Sequence, residues 1–283
     1  MPAAATTSQT PARLVRYVEG RAERSGDELA TEEPLEIRLA GAGGSRTVAL
    51  TMRTPGADAE LAAGFLYGEG IVRRREEVRG IAEGDPAAQD PRARGNVVTV
   101  DLGDRPLPDL GGLERHFFAT SACGVCGRAG LEALRVRAAP LPPGPVVAPA
   151  ALLGLPRSLA AAQGVFAATG GLHAAALFDP AGNLQALRED VGRHNALDKL
   201  VGWALLAGRL PLAAGIVLVS GRASFEILQK TLAAGVPVVC AVSAPSSLAV
   251  ELAQAFGVTL VGFLRDGRFN VYSAPERVAP LPL

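Results

Sequence analysis

The feature that most constrains this chain is a run of alternating apolar blocks in its second half. From residue 215 onward the sequence reads GIVLVS, SFEILQKTLAAG, VPVVCAVS, SSLAVELAQAFG and VTLVGFLR. The first, third and fifth blocks are short, rich in β-branched residues and continuously apolar through their centres, so each reads as a strand covered on both faces. The two blocks between them carry apolar residues at helical spacing. Strand–helix alternation of this kind implies an α/β sheet, largely parallel, with helices on both faces. Upstream lie a helix from about Ser158 to Thr169, a strand at 174–180 paired as a hairpin with 184–189, and a helix from about Asn195 to Ala207.

The first half has a different character. Residues 1–25 read as a loosely ordered, polar segment. PLEIRLAG and SRTVALTMRT (34–54) alternate as two strands joined by GAGG, a helix follows from Asp58 to Tyr67, and NVVTVDLG (96–103) is a further strand. RRREEVRG (73–80) is a charge run best read as a solvated face. The expected organisation is a smaller α+β domain over 26–139, a Pro-rich linker over 140–150, and an α/β domain over 151–283. Charge supports the division, since residues 1–140 hold 18 basic and 20 acidic side chains and residues 141–283 only 10 and 8. The formal net charge is zero, which argues against a nucleic-acid partner. No stretch resembles a signal peptide or the ~18–20 apolar residues of a membrane span, so a cytoplasmic protein with no membrane partner is expected.

The sharpest local motif is TSACGVCGR (120–128), a C-x-x-C with Gly124 and Gly127 interleaved. Arg115, His116 and Arg128 flank it and would favour the thiolate. The spacing alone admits a zinc ligand pair, a dithiol oxidoreductase or a sulfur carrier. A structural zinc site lacks its second ligand pair, because His116, His173, His194 and Cys240 are scattered. Cys240, inside VPVVCAV, reads as an inert core cysteine.

Other polar clusters fall where such a sheet binds ligands, at the carboxyl ends of its strands. In VSGRASFE, Gly221, Arg222 and Ser224 lie between strand and helix, where free N–H groups, a helix dipole and an arginine suit a phosphate. Ser246 and Ser247 repeat that arrangement, and either serine pair is equally an ordinary N-cap. REDVGRHN crowds Asp190, Arg193, His194 and Asn195 into one turn, as acid–base groups or as a capped helix start. Arg265 and Arg268 bracket an Asp266–Gly267 turn near the end of the last strand.

Taken in order, TSACGVCGR, TGGLHAAAL, REDVGRHNALDK, SGRASFEILQK, SAPSSLAVELA and GFLRDGRFNVYS closely resemble the FdhD family, sulfur-carrier proteins required for formate dehydrogenase activity. The resemblance implies a sulfurtransferase. A cysteine desulfurase would load sulfane sulfur as a persulfide on Cys123, with Cys126 as its partner. The sulfur would pass to the molybdenum (or tungsten) bis-molybdopterin guanine dinucleotide cofactor destined for the formate dehydrogenase apoprotein. It also implies a cytidine deaminase-like α/β domain, a homodimer, and a cofactor-binding stretch on Phe263, Leu264, Arg265, Asp266, Gly267 and Arg268. No structural metal is expected. Deaminase chemistry itself is disfavoured, since the chain has no H-x-E and Ala122, not Pro, precedes Cys123.

Overall fold

The computed structural model describes residues 7–85, 93–108 and 140–279. Cys123 and Cys126 lie outside the described residues.

The chain opens with β1 (Gln9–Val18) and β2 (Arg21–Ala30), an antiparallel hairpin closed at Glu19–Gly20, where both residues take positive φ. This corrects the expectation of a loosely ordered segment over 1–25 for residues 9–25; residues 1–6 lie outside the described residues. Most hairpin side chains are exposed and none is buried, so neither face carries the apolar alternation that marks a half-buried strand.

β3 (Glu33–Ala42) and β4 (Gly44–Arg53) form the expected antiparallel pair, and α1 (Asp58–Gly68) follows. β5 (Gly80–Glu83) and β6 (Val97–Pro106) complete a four-stranded sheet in the order β4-β3-β6-β5, with β3 and β6 parallel. Period-two alternation aims Leu35, Ile37 and Leu39 of β3 and Val98, Val100 and Leu102 of β6 at Leu61 and Leu66 of α1. Buried Arg53 fixes the β4–α1 corner: its Nη2 donates to Asp58 Oδ2 at 2.9 Å and to Asn96 Oδ1 at 3.0 Å.

Beyond residues 140–148, α2 (Pro149–Ala162) and α3 (Gly164–Thr169) precede the second sheet. The helix expected from Ser158 thus begins nine residues earlier and breaks at Gln163. Pro149 sits in the first turn, where a missing N–H costs nothing.

The second sheet contains β7 (His173–Phe178), β8 (Leu184–Asp190), β9 (Ile216–Val219), β10 (Val238–Ala241), β11 (Thr259–Arg265) and β12 (Arg268–Ser273). Its order is β12-β11-β10-β9-β7-β8. Only the β9–β10 and β10–β11 pairings are parallel; β7–β8, β7–β9 and β11–β12 are antiparallel. The sheet is therefore mixed, not mostly parallel. Continuous apolar runs report cover on both faces and carry no information on strand direction.

Both faces are covered. α4 (Arg193–Leu206), α5 (Phe225–Ala233) and α6 (Ser247–Phe256) pack on one side, over Ala175, Val217, Val219, Val239 and Leu260. α2 packs on the other, against Phe178, Ile216, Leu218 and Cys240. Burial pushes the Cys240 thiol well above its ordinary range, as suits an inert core cysteine.

The two sheets meet through their helices. α1 lies against α4 so closely that a Cβ on Gly64 would fall 1.9 Å from the Asp198 carbonyl oxygen, and one on Gly202 would fall 1.8 Å from that of Glu60. The order of layers is four-stranded sheet, α1, α4, six-stranded sheet. No helix among the described residues is long and apolar enough to cross a membrane.

Candidate anion site at one end of the mixed sheet

The pairing directions bring several chain reversals to one end of the six-stranded sheet. β9 runs parallel to β10 and ends there, entering α5 through Ser220–Ser224. β7 runs the opposite way, so its first residue, His173, lies at that same end. β8 is antiparallel to β7, and its last residue, Asp190, pairs with His173. The turn after Asp190 therefore delivers Arg193 and His194, the first residues of α4, to the β9–α5 connection.

Short backbone contacts fix this end. Ala174 N–H donates to Ser220 Oγ at 2.9 Å, and Ser220 N–H returns a bond to Ala174 O at 2.9 Å. Ser246 N–H donates to Ala223 O at 2.9 Å, joining the β9 and β10 connections. Ser224 and Ser246 are both N-caps, accepting from Ile227 N–H (3.5 Å) and Ala249 N–H (3.3 Å) respectively. The capping role expected of these serines is present, and it leaves the helix N-termini of α5 and α6 side by side.

Gly221 gives the cluster its closeness. A Cβ there would contact the His173 ring at 3.5 Å and Arg193 Cδ at 3.9 Å. His194 Nε2 lies 3.4 Å from both Ser224 Oγ and Glu226 Oε2. Arg193 Nε is buried, with no hydrogen-bond partner among the described residues. A buried guanidinium N–H without an acceptor is costly, and an anionic ligand would supply one. Burial holds the His173 imidazole below its ordinary range, the Arg193 charge adds to this, and Asp190 opposes it. Burial likewise lowers His194; Glu226 opposes, while Arg193, Lys230 and His173 add to the lowering. Both rings favour the neutral form, leaving Arg193 as the fixed positive charge in their midst. Beside them opens a cavity of about 370 Å³ whose walls include Gln163, Phe166, His173 and Ser220.

The structure thus gathers four of the expected ligand residues, Arg193, His194, Gly221 and Ser224. Arg222 belongs to the same loop and is exposed. The 263–268 stretch connects through one bond, Phe263 N–H to Ser243 O at 3.1 Å, with Phe263 at φ 53°. Arg265, Asp266, Gly267 and Arg268 form the exposed tip of the β11–β12 hairpin. Leu264 is wholly packed in the core, so only its main chain is available to a ligand. Cys123 and Cys126 fall outside the described residues. The sequence offers His173 only as one of several scattered candidate metal ligands, and gives Ser220 and Glu226 no role of their own. The scarcity of histidine was a usable signal: the chain has three, and two of them meet here. No cluster of three or more His, Cys, Asp or Glu among the described residues is arranged to hold a metal ion.

Comparison with known proteins shows the family of the chain. The sequence profile of the FdhD/NarQ family matches residues 30–279. A sulfur carrier protein FdhD from Mycolicibacterium paratuberculosis is 51% identical over 271 residues, 94% of this chain and 97% of that protein. Another from Thermoplasma acidophilum is 44% identical, over 95% of this chain and 93% of that protein. Among solved structures, a protein assigned as a formate dehydrogenase accessory protein from Desulfotalea psychrophila superposes with a TM-score of 0.73 at 27% identity. The match covers 96% of this chain and 99% of that one. On this evidence the chain belongs to the FdhD/NarQ family.

Proposed function

We propose that this chain is a sulfur carrier in the maturation of a formate dehydrogenase. The observation that carries the reading is the family match over residues 30–279, together with near-complete coverage of relatives that are sulfur carriers. In this reading a cysteine desulfurase presents a persulfide, and the Cys123 thiolate attacks its outer sulfur. The donor's thiolate leaves and Cys123 becomes the persulfide, with Cys126 beside it in sequence as the second thiol. The sulfur then passes to the molybdenum (or tungsten) bis-molybdopterin guanine dinucleotide, which is substrate here and not a resident cofactor, on its way to the formate dehydrogenase apoprotein.

The sheet end supports the acceptor half of this scheme. A guanine dinucleotide carries a pyrophosphate, and Arg193, whose Nε has no partner among the described residues, exposed Arg222 and two adjacent helix N-termini form a suitable anion cradle. The exposed arginines of the 265–268 turn offer further positive charge beyond it. The reading takes the mixed six-stranded unit as the cytidine deaminase-like domain, set off from residues 26–139 by the Pro-rich segment. It also takes the working protein as a cytoplasmic homodimer.

Two measurements test it. Incubation with a cysteine desulfurase and cysteine should add the mass of one or more sulfur atoms, removable by reductant and absent in Cys123→Ala. A wild-type protein that gains no mass is not a sulfur carrier. GDP, as the nucleotide fragment, should raise the melting temperature; at about 100 times Kd the expected stabilisation is about 2.7 kcal/mol.

A further inference from the structure

The turn that carries Arg193 and His194 is held by a polar network with no spare valence. Asp190, at the end of β8, is wholly buried. Its Oδ1 accepts from Gly192 N–H at 2.8 Å and from Asn195 Nδ2 at 3.1 Å. Its Oδ2 accepts from Thr54 N–H at 3.1 Å and from Lys199 Nζ at 2.7 Å. Two carboxylate oxygens offer about four acceptor sites, and all are taken. Lys199 is equally saturated, its ammonium also donating to Thr54 O at 2.7 Å and Glu189 O at 3.4 Å. Asn195 gives its second amide N–H to Met52 O at 2.7 Å. Val191 N–H donates to Thr54 Oγ1 at 3.2 Å.

Thr54 and Met52 belong to the end of β4 and the residue after it, in the other sheet. The network therefore fastens the β8–α4 turn to the far layer, and its charges cancel within it. Arg193, one residue beyond Gly192, stands outside the network, with no hydrogen-bond partner for its Nε among the described residues.

We propose that Asp190 is a positioning residue that locks the β8–α4 turn to the end of β4, with Lys199 and Asn195, so that Arg193 and His194 face the anion. A carboxylate whose acceptor sites are all occupied has none left for a ligand proton, so Asp190 does no acid–base work of its own. Preorganisation by a saturated second layer of contacts is what keeps a binding group within the small displacement that a charged ligand tolerates. The inference rests on the anion-site reading given above.

The test compares GDP affinity, by calorimetry, for the full-length chain and for Asp190→Asn and Asn195→Ala, with the melting transition as the check on folding. The expected result is a Kd raised roughly 10–100-fold in Asp190→Asn and less in Asn195→Ala. In both, the His194 ring titration, followed by NMR without ligand, should move, because the turn bearing it has shifted. A role in stability alone would lower the melting temperature and leave GDP affinity and the His194 titration as they were; that result overturns the proposal. Should Asp190→Asn fail to fold, Asn195→Ala, which removes a half-buried amide from the rim of the network, decides on the same two readouts. A wild-type chain that binds no GDP removes the anion reading and the proposal with it. A wild type and variants that bind equally well remove the proposal alone.

Discussion

His173 and His194 are the residues through which pH should reach this fold. Burial lowers both imidazoles, and the charge of Arg193 lowers both further. In the unfolded chain each would titrate near its ordinary value of about 6.5. Below that pH the unfolded state binds protons that the folded state refuses, so folding stability is complete above about 6.5 and is lost as pH falls through it toward the folded value. The melting temperature should therefore drop between about pH 7.5 and pH 5.5, and less in His173→Gln/His194→Gln. Equal drops in wild type and double variant would show that carboxylates, not these rings, carry the dependence. The site was only partly legible before folding. Arg193, His194, Gly221 and Ser224 announced themselves as polar residues at strand ends. His173 did not, because antiparallel β7 brings the beginning of a strand to the end where parallel strands finish. Lys199 and Lys230 left a subtler trace: they are the only lysines among 26 arginines, and both are buried in ion pairs, Lys199 with Asp190 and Lys230 with Asp198. An ammonium is compact enough to donate three bonds in such a space, whereas a planar guanidinium is not.

At the level of elements, the crossing of α1 and α4 is set by glycine. Neither Gly64 nor Gly202 takes positive φ; each is there because the opposing backbone occupies the place of a Cβ. Gly202→Ala must push the helices apart, at a cost of about 1–3 kcal/mol, because the obstruction is main chain and cannot swing aside. Gly154, inside α2, has nothing within 4 Å of its would-be Cβ. Gly154→Ala should instead stabilise by about 0.4–1 kcal/mol, through the helix and the unfolded chain. Paired denaturant melts of the two variants read opposite signs from one chemical change; matching signs would refute the crossing. The strands that build the sheets differ in legibility for related reasons. β3 alternates because one face is buried, and β9 to β11 run apolar because both are, so pattern and environment agree; in β4 the register shift opposite Ile37–Arg38 leaves Leu50 and Met52 exposed and Arg53 buried. β1 and β2 have no buried face to write a pattern. α2 starts among prolines that read as linker, because a proline that ends one helix is equally able to open another.

The whole molecule raises the question of whether its two sheets unfold together. The change in composition near residue 140 suggests two independent units, and multidomain chains commonly melt in steps. The contacts across the junction argue otherwise. α1 and α4 touch backbone to backbone. Arg188 of β8 forks onto Glu60 of α1, its Nη2 at 2.7 Å from Oε1. Tyr67 donates to Ala233 O at 2.8 Å, and Lys230, paired to Asp198, lies 5.8 Å from the centre of the Phe65 ring. Separating the layers would break the Arg188–Glu60 ion pair and strip buried Asp190 and Lys199 of their Thr54 hydrogen bonds before either core opened, a cost of about 1.5–3 kcal/mol for each hydrogen bond to a charged group. Partial unfolding at that seam is thus disfavoured relative to global unfolding. Trp203, the chain's single tryptophan, sits on α4 with Arg188 and Arg209 against its ring, so its fluorescence reports this junction. Far-ultraviolet circular dichroism reports both sheets. The two signals should give coincident denaturant transitions with one midpoint. A Trp203 transition that precedes the loss of secondary structure would mean that the seam opens first and that the two sheets are separate folding units.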